Sequence, residues 1–167
     1  MFDTIYLDER VALSPADLGS IRSADGIKDL LVSRLQKKHE GKCNANGFVR
    51  PGSIQLIGRS MGIAENGRFT GNVLYDCKFK CEVLYPKAGN MLEALVIKVN
   101  KMGAYAVFQE AIRVLLPRDL HVGQVEFDEV KEGDMVSVQI ERSRFGAGDG
   151  YIMAVGKLMT PVLADAV

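Results

Sequence analysis

The sequence contains no tryptophan, only two histidines and only three cysteines among its 167 residues. Its apolar runs are shorter than the roughly 20 residues that a membrane-spanning helix needs, and its first residues do not have the pattern of a secretory signal peptide. An odd cysteine number in such a chain is typical of reduced thiols rather than of a disulfide framework. We therefore expect an intracellular protein of the nucleus or cytoplasm.

The sequence also lacks an excess of charge of one sign. Lysine and arginine number 21, aspartate and glutamate also number 21, and the formal net charge is zero. The molecule as a whole therefore exerts no general attraction on nucleic acid or on an anionic membrane, and any binding of a polyanion requires a local patch. With 47% hydrophobic and 25% charged residues, the composition is that of a globular protein with one large or two small domains.

Catalytic motifs are missing as well. No glycine-rich dinucleotide fingerprint follows a predicted strand, no P-loop occurs, and no two carboxylates have an evident shared site. The histidines, His39 at the end of a predicted helix and His121 in a predicted loop, have no serine or cysteine pattern beside them. We expect a protein that is not an enzyme by itself and that needs no cofactor.

A zinc site is the one metal centre that the residue types would allow. His39 and Cys43 are separated by three residues, and so are Cys77 and Cys81. Zinc ligand pairs usually lie in a tight turn, whereas Cys77 and Cys81 belong to a predicted strand, where they would lie about 13 Å apart. The sequence therefore favours buried thiols that act as small hydrophobic residues, and no metal site.

The strongest positive pattern lies in residues 92–116 (LEALVIKVNKMGAYAVFQEAIRVLL). Three apolar runs, separated by a polar corner with Gly103 and by a short connection after Phe108, predict three strands of a small closed sheet. The later pieces are an acidic connection at 124–133, strands at 135–140 and 151–158, and a basic, glycine-rich hairpin loop at 141–150. Five short strands with a longer connection after the third predict a barrel of the OB type.

The N-terminal half is predicted to be one helix packed on a sheet. An edge strand ends in a turn near Pro15, and a helical stripe runs from Ile27 to Leu35 and ends before Gly41. The predicted strands that follow are 43–49, 53–57 and 73–84, with a glycine-containing loop at 58–69. Pro86 and the turn after it predict a domain boundary. The predicted class is α+β, mainly β, with domains at 1–85 and 86–160 and a short tail at 161–167.

Several motifs, taken in order, resemble a known family. Residues 99–105 (VNKMGAY) and 115–120 (LLPRDL) are similar to an S1 RNA-binding domain. The N-terminal motifs are 11–18 (VALSPADL), 40–43 (EGKC), 47–49 (GFV) and 82–89 (EVLYPKAG). Together, over about 7–158, the chain resembles the larger stalk subunit of archaeal and eukaryotic DNA-directed RNA polymerases. The resemblance implies a helix on a curved antiparallel sheet, followed by an S1 barrel, and no metal.

In that family a loop at the tip of the N-terminal domain docks at the base of the polymerase clamp, and a smaller stalk subunit packs along both domains. The corresponding tip loop here is 58–69. Exposed apolar residues among glycines are suited to fill a pocket on a partner, and an arginine could reach a carboxylate or carbonyl group. The alternative is a flexible hairpin loop whose Met61 folds back on its own sheet. The predicted contacts with the polymerase core are Gly58, Arg59, Ser60, Met61, Gly62 and Ile63.

The resemblance also implies contact of the barrel with single-stranded nascent RNA. Alternation along the second barrel strand predicts that Tyr105 faces outward and that Phe108 is a core residue. The predicted stacking residues are Tyr105, Met102 and Phe145, and the predicted phosphate contacts are Lys101, Arg118, Arg142 and Arg144. For each charged residue the alternative is an ordinary solvated side chain. Because Met102 and Leu116 stand where stronger RNA binders carry rings, we expect weak, sequence-tolerant and salt-sensitive binding.

The predicted function is therefore that of a non-catalytic stalk subunit of a DNA-directed RNA polymerase, acting in transcription with the core subunits at the clamp base. The alternative is a free-standing S1-domain RNA-binding protein of RNA processing or translation. The sequence leaves the source open among archaeal, eukaryotic and viral polymerases. The corresponding locations are the nucleoid, the nucleus, and the virion or viral factory.

Overall fold

The computed structural model of the protein describes residues 2–161, so 162–167 of the predicted tail lie outside the described residues. The described chain forms two compact units. The first, which we call the N-terminal unit, comprises residues 2–41 and 49–83. The second, the barrel unit, comprises residues 42–48 and the chain from Leu84 onward.

The N-terminal unit is built around one long central strand, β6. Its elements are β1 (Phe2–Leu13), α1 (Pro15–Gly19), α2 (Gly26–His39), β4 (Gln55–Arg59), β5 (Ile63–Ala64) and β6 (Val73–Leu84). Strand β6 pairs with β1, and β4 and β5 also pair with it. The strand alternates as the sequence predicts, with one face buried; its buried side chains are Tyr75, Cys77, Phe79, Cys81 and Val83. Helix α2 contributes Leu31 and Leu35 to the same core, which confirms the predicted helix on a sheet.

Two local predictions in this half are wrong. The turn expected near Pro15 is a short helix. Its N-terminus is stabilised by a capping box, in which the Ser14 hydroxyl accepts from the Asp17 N–H and the Asp17 carboxylate accepts from the Ser14 N–H. The single strand expected at 43–49 is a hairpin of β2 (Cys43–Asn44) and β3 (Gly47–Val49). The backbone N–H of Asn46 donates to the Asn44 side chain at 2.8 Å, an Asx turn that the strand pattern did not include.

The barrel unit is a closed five-stranded barrel in the order β10-β11-β9-β8-β7. Its strands are β7 (Met91–Asn100), β8 (Gly103–Phe108), β9 (Ile112–Pro117), β10 (Met135–Arg144) and β11 (Ile152–Pro161). Small and branched side chains fill it, among them Ala94, Val96, Ala104, Ala106, Val114, Leu116, Val136, Val138 and Ile152. The predicted class, mainly β with an OB-type barrel, is confirmed. Phe108, however, is only half-buried, because it lies at the end of β8 beside the turn to β9.

The connection between β9 and β10 is more ordered than its acidic composition predicts. It contains a 3₁₀ helix (Arg118–His121) and a short helix α3 (Val125–Asp128). His121, which the sequence places in a loop, is buried and stacks on Phe127 with ring centroids 4.3 Å apart. The aromatic residue inside the acidic stretch is therefore an anchor that holds the connection against the barrel.

Candidate nucleic-acid interface and tip loop

The β7–β8 turn carries two of the predicted RNA-binding residues, Lys101 and Met102, and both are exposed. The Asn100 side-chain oxygen accepts from the backbone N–H groups of Met102 at 2.9 Å and Gly103 at 3.1 Å, which fixes the turn. Gly103 has φ +149°, and a Cβ atom there would lie 2.1 Å from the carbonyl oxygen of Leu116. Only glycine allows this close approach of β8 to β9.

Arg118 lies beside this turn, because its backbone N–H donates to the carbonyl of Met102 at 3.1 Å. Its guanidinium group lies 3.9 Å from the carboxylate of Asp128, and both side chains are more than half exposed. Such an exposed pair is weak. The structure therefore brings Lys101, Met102 and Arg118 together at one end of the barrel.

Tyr105 faces outward from β8, between the buried residues Ala104 and Ala106. Its exposed fraction is 36%, so part of the ring is covered and part is open to solvent. Tyr105 pairs in register with Leu115 on β9. Because the Tyr105 ring is already partly covered, it loses little conformational freedom when a base stacks on its open part.

Arg142 and Arg144 lie on β10, not in the hairpin loop where the sequence places them. Strand β10 continues to Arg144, with a bulge after Ile140, because its pairing with β11 extends past the predicted end. Arg142 pairs with Val155 and Arg144 pairs with Met153. The strand geometry therefore fixes both arginines on the barrel wall.

Register across four strands joins these residues into one surface. Arg142 pairs with Val155, Val155 with Leu115, and Leu115 with Tyr105. With neighbouring strands about 4.8 Å apart, the path from Tyr105 to Arg142 along the curved barrel wall is roughly 14 Å. We call these four residues the outer row. It combines an aromatic ring, two apolar side chains and a cation, which is the composition of a single-strand binding surface.

Phe145 follows β10 and is less available than its predicted role as a stacking residue suggests. It is partly buried and makes an edge-to-face contact with Tyr85, with ring centroids 5.6 Å apart and planes at 81°. This contact fixes the ring orientation. A base could reach only the part of Phe145 that remains exposed.

Sequence reasoning missed three residues next to the outer row. Arg113 and Met153 are paired across β9 and β11, and both are exposed. The Arg113 guanidinium carbon lies 3.9 Å from the ring centroid of Tyr151, a cation–π contact. Period-two alternation could have found Arg113, since it lies two residues before Leu115 on the same strand face. Met153 and Tyr151 required the parallel register of β9 and β11, which no local pattern reveals.

Part of the predicted tip loop, 58–69, is paired backbone rather than a free loop. Gly58 and Arg59 belong to β4, and Ile63 belongs to β5. Ser60 is fixed to β6, since its N–H donates to the carbonyl of Asp76 at 2.8 Å and its hydroxyl accepts from the Asp76 N–H at 2.9 Å. The Arg59 guanidinium lies 5.5 Å from the Tyr75 ring centroid. These contacts give the tip a defined shape.

Apolar side chains nonetheless project from this tip. Met61 is 87% exposed and Ile63 is 59% exposed, so Met61 does not fold back on its own sheet. Gly62 lies between them, and a Cβ atom there would be 2.5 Å from Val73 Cγ1. Phe69, at the end of the loop, is fully exposed and has φ +52°. Sequence reasoning assigned Phe69 no role of its own, although a non-glycine residue with positive φ is uncommon and marks a constrained site.

The residues considered for zinc have other partners or are buried separately. His39 hydrogen-bonds the Glu9 carboxylate through Nε2 and lies 5.4 Å from the Phe79 ring. Burial raises the pKa of the Cys43 thiol to about 11, and it raises the pKa values of Cys77 and Cys81 as well. Within residues 2–161 there is no cluster of three or more histidine, cysteine or acidic side chains that could hold a metal ion. In the same range no helix is both long and apolar enough to cross a membrane.

Comparison with known proteins identifies the family. No protein-family model matches the chain. The chain is 36% identical over 139 residues to the DNA-directed RNA polymerase II subunit RPB7 of Glycine max, which covers 81% of this chain and 70% of the relative. The same identity and coverage relate it to DNA-directed RNA polymerase II subunit 7 of Arabidopsis thaliana. The chain therefore belongs to the RNA polymerase stalk-subunit family that includes subunit 7 of RNA polymerase II, as the order of its motifs predicts.

Proposed function

We propose that this chain docks onto the polymerase core through the tip loop and contacts nascent single-stranded RNA through the outer face of its barrel. The family relationship is the observation that carries the proposal. In this role the chain contributes binding surfaces and no catalytic group. Its N-terminal domain, 1–85, serves assembly, and its S1 domain, 86–160, serves RNA contact.

The exposed residues of the tip support the docking half of the proposal. Met61 and Ile63 present two large apolar side chains on a backbone that Ser60 ties to β6. A projecting apolar side chain on a rigid support gains free energy when a partner's pocket covers it, and it loses little conformational entropy. Gly58, Arg59 and Gly62 complete the proposed contact with the core at the base of the clamp.

The outer row supports the RNA half of the proposal. Tyr105 supplies a ring, Arg113 lies on the adjacent strand β9, and Arg142 and Arg144 lie on β10, on the far side of β11. Lys101, Met102 and Arg118 extend this surface at the β7–β8 turn, and Phe145 extends it after β10. Stacking and phosphate contacts of this kind tolerate any base sequence, so the proposed role is guidance of the transcript rather than recognition of a sequence.

The relatives support action within a nuclear RNA polymerase, since both are subunits of RNA polymerase II from plants. They support neither a nucleoid nor a viral factory as the location. The proposed partners are the large core subunits, a smaller stalk subunit and the emerging transcript.

Co-purification with the polymerase tests the docking. The tagged full chain is expressed in its source cells as wild type, as Met61→Asp and as the control Val122→Asp, whose site on the barrel is 82% exposed. We expect the large polymerase subunits to co-purify with wild type and with Val122→Asp, and their recovery to fall at least about tenfold with Met61→Asp. Equal recovery with all three chains would reject the tip as the docking site. A chain that binds RNA but recovers no polymerase would indicate a free-standing RNA-binding protein.

A further inference from the structure

A small pocket opens on the barrel wall where β10 and β11 meet the loop that joins them. We call it the loop pocket. Its volume is about 350 Å³, which lies at the lower end of the range for ligand sites and suits one unit of a larger ligand. The residues that line it are Arg144, Phe145, Asp149, Gly150, Tyr151 and Met153.

Strand pairing places the loop pocket beside the proposed path of RNA. Met153 lies two residues before Val155 of the outer row, and Arg144 lies two residues after Arg142. Met153 and Arg144 also pair with each other across β10 and β11. Residues two apart on a strand share a face and lie roughly 7 Å apart. A nucleic-acid strand that follows the outer row therefore passes the mouth of the loop pocket.

The loop pocket holds one cation and one anion that are not paired with each other. Within residues 2–161 neither Arg144 nor Asp149 takes part in an ion pair. Two separate charges of opposite sign in one small pocket favour a ligand that carries a negative group and, close to it, a hydrogen-bond donor. An RNA chain has this combination at every nucleotide, since the 2′-hydroxyl group lies next to the 3′ phosphate.

Hydrogen bonds in the loop hold the carboxylate of Asp149 in place. Its Oδ2 atom accepts from the backbone N–H of Gly146 at 2.6 Å, and its own N–H donates to the Gly146 carbonyl at 3.2 Å. The N–H of Cys43 donates to the Asp149 carbonyl at 2.7 Å, and the N–H of Gly148 donates to the Cys43 carbonyl at 2.8 Å. Because the loop is fixed in this way, the carboxylate loses little conformational entropy when it binds a ligand.

One carboxylate oxygen of Asp149 is left for a ligand. Oδ2 is taken by the Gly146 N–H, whereas Oδ1 accepts no hydrogen bond from the residues that the structure describes. A carboxylate that reads the Watson–Crick edge of guanine uses both oxygens, whereas a hydroxyl group donates to one oxygen. Asp149 is therefore matched to a single hydroxyl donor rather than to a base edge.

The two aromatic rings of the loop pocket already have partners. The Arg113 guanidinium carbon lies 3.9 Å from the Tyr151 ring centroid and covers one face of that ring. Phe145 makes an edge-to-face contact with Tyr85, with ring centroids 5.6 Å apart. Stacking needs a free aromatic face, and these contacts reduce the ring surface that is open to a base. The loop pocket therefore favours the sugar of a nucleotide, while the outer row offers Tyr105 to a base.

We propose that the loop pocket recognises the ribose of the transcript. Oδ1 of Asp149 accepts a hydrogen bond from a 2′-hydroxyl group, and Arg144 contacts the neighbouring phosphate. This recognition rests on the proposed contact of the barrel with RNA. Because the 2′-hydroxyl group is what distinguishes RNA from DNA, Asp149 makes the barrel select RNA over single-stranded DNA without reading the base sequence.

Fluorescence anisotropy with the full chain tests the proposal. The probes are three uracil oligonucleotides of equal length: RNA, DNA, and 2′-fluoro RNA, which keeps the sugar pucker of RNA but has no 2′-hydroxyl group to donate. All three carry the same phosphates, so a change of protein charge shifts their affinities together, and the ratio of two Kd values isolates the hydroxyl group. The chains are wild type, Asp149→Ala and the control Glu126→Ala, which removes an exposed carboxylate elsewhere on the barrel unit.

Wild type should bind RNA at least about fivefold more tightly than DNA or 2′-fluoro RNA, because the two other probes cannot form the hydrogen bond to a charged acceptor. Asp149→Ala should bring both Kd ratios close to one. Glu126→Ala should leave both ratios as they are in wild type. Thermal unfolding checks that the variants are folded, and the comparison of the three probes on wild type needs no substitution.

The possible failures separate this proposal from the RNA contact on which it rests. Equal binding of the three probes by wild type would overturn ribose recognition and leave the RNA contact standing. So would a preference over DNA that 2′-fluoro RNA shares, since sugar pucker would then explain it. A preference that persists in Asp149→Ala, or that Glu126→Ala also abolishes, would overturn the role of Asp149. Binding of none of the probes would overturn both ribose recognition and the RNA contact.

Discussion

His121 accepts a hydrogen bond from the backbone N–H of Leu158 through its Nε2 atom, at 2.8 Å. Its Nδ1 atom lies 2.6 Å from the carbonyl oxygen of Pro117, to which it donates. These two bonds require a neutral imidazole with the proton on Nδ1. One buried ring therefore joins β11 to the end of β9 and holds the 3₁₀ helix between them.

Replacing His121 with leucine should destabilise the barrel unit. The substitution preserves an apolar side chain but leaves the Leu158 N–H and the Pro117 carbonyl without their partner. Each unsatisfied buried group costs about 1–3 kcal/mol, so for two such groups we expect the free energy of unfolding to fall by about 2–6 kcal/mol. Urea denaturation measures this. The control Val122→Ala, at an exposed position, should change it by less than about 0.5 kcal/mol. A loss that small for His121→Leu would refute the structural role of the ring.

Glu9 makes the stability of the N-terminal unit depend on pH. Burial raises the pKa of its carboxyl group, but hydrogen bonds from Lys38 and His39 and their charges outweigh burial, so the pKa is lowered overall from 4.5. A lowered folded-state pKa adds stability that is present above the unfolded value and is lost as the pH falls through the folded value.

The variant Glu9→Gln should remove that contribution. At pH 7 we expect it to be less stable than wild type by about 1 kcal/mol, and the difference should shrink as the pH falls below 4.5. Chemical denaturation at a series of pH values measures both quantities. Glu82→Gln, which breaks the more exposed pair with Arg50, serves as a control and should have a smaller effect at pH 7. A Glu9→Gln difference that grows toward low pH would contradict this assignment.

Gly103 is the position in the β7–β8 turn that should tolerate no side chain. An added Cβ would lie 2.1 Å from the Leu116 carbonyl oxygen, with φ +149°, so Gly103→Ala must separate β8 from β9. We expect it to cost at least about 2 kcal/mol in the free energy of unfolding. Gly58→Ala is the control, because nothing lies within 4 Å of its added Cβ and its φ is not positive. Similar unfolding midpoints for the two variants would contradict the close strand approach.

The sequence predicted the elements whose residues repeat at a regular spacing. The alternation of β6 and the stripe of α2 each follow from burying one face, so their bounds came within a residue or two of the structure. Errors arose where a side chain bonds locally to the backbone. Asn44 forms a turn inside an expected strand, and Ser14 begins a helix at an expected turn. Hydrogen bonds of this kind have no periodicity to detect.

The candidate site was predictable only in part, because several of its contacts join residues that lie far apart in the chain. Tyr105 was correctly placed outward, because its two neighbours on β8 are small and buried. Met153 joins it only through the parallel pairing of β9 with β11, which brings together residues far apart in the chain. His121 was read as a loop residue, since nothing local indicates that Leu158 is its partner. Contacts that depend on long-range register require the structure.

The proposed stacking role of Tyr105 leads to a direct binding test. Tyr105→Ala should weaken binding of a 20-nucleotide poly(U) RNA, because a stacked base contributes about 1–3 kcal/mol, which corresponds to roughly 5- to 150-fold in Kd. Fluorescence anisotropy measures Kd, and thermal unfolding checks that the barrel remains folded. Tyr6→Ala is the matched control, since Tyr6 is also exposed but lies on β1 of the N-terminal unit. Equal affinities for wild type and Tyr105→Ala would remove Tyr105 from the proposed RNA surface.

Arg142 should contact a phosphate rather than a base, because it lies at the far end of the outer row from Tyr105. The variant Arg142→Gln should weaken RNA binding to a similar degree for poly(U) and poly(A). It should also reduce the slope of log K against log salt concentration by about 0.7, the value for one phosphate contact on a single strand. Anisotropy titrations at several salt concentrations measure the slope. Arg10→Gln, at a site on β1 where arginine pairs with Asp76, should leave the slope unchanged. An unchanged slope for Arg142→Gln would mean that this arginine does not contact the RNA backbone, and the proposed surface would then be confined to Tyr105 and the β7–β8 turn.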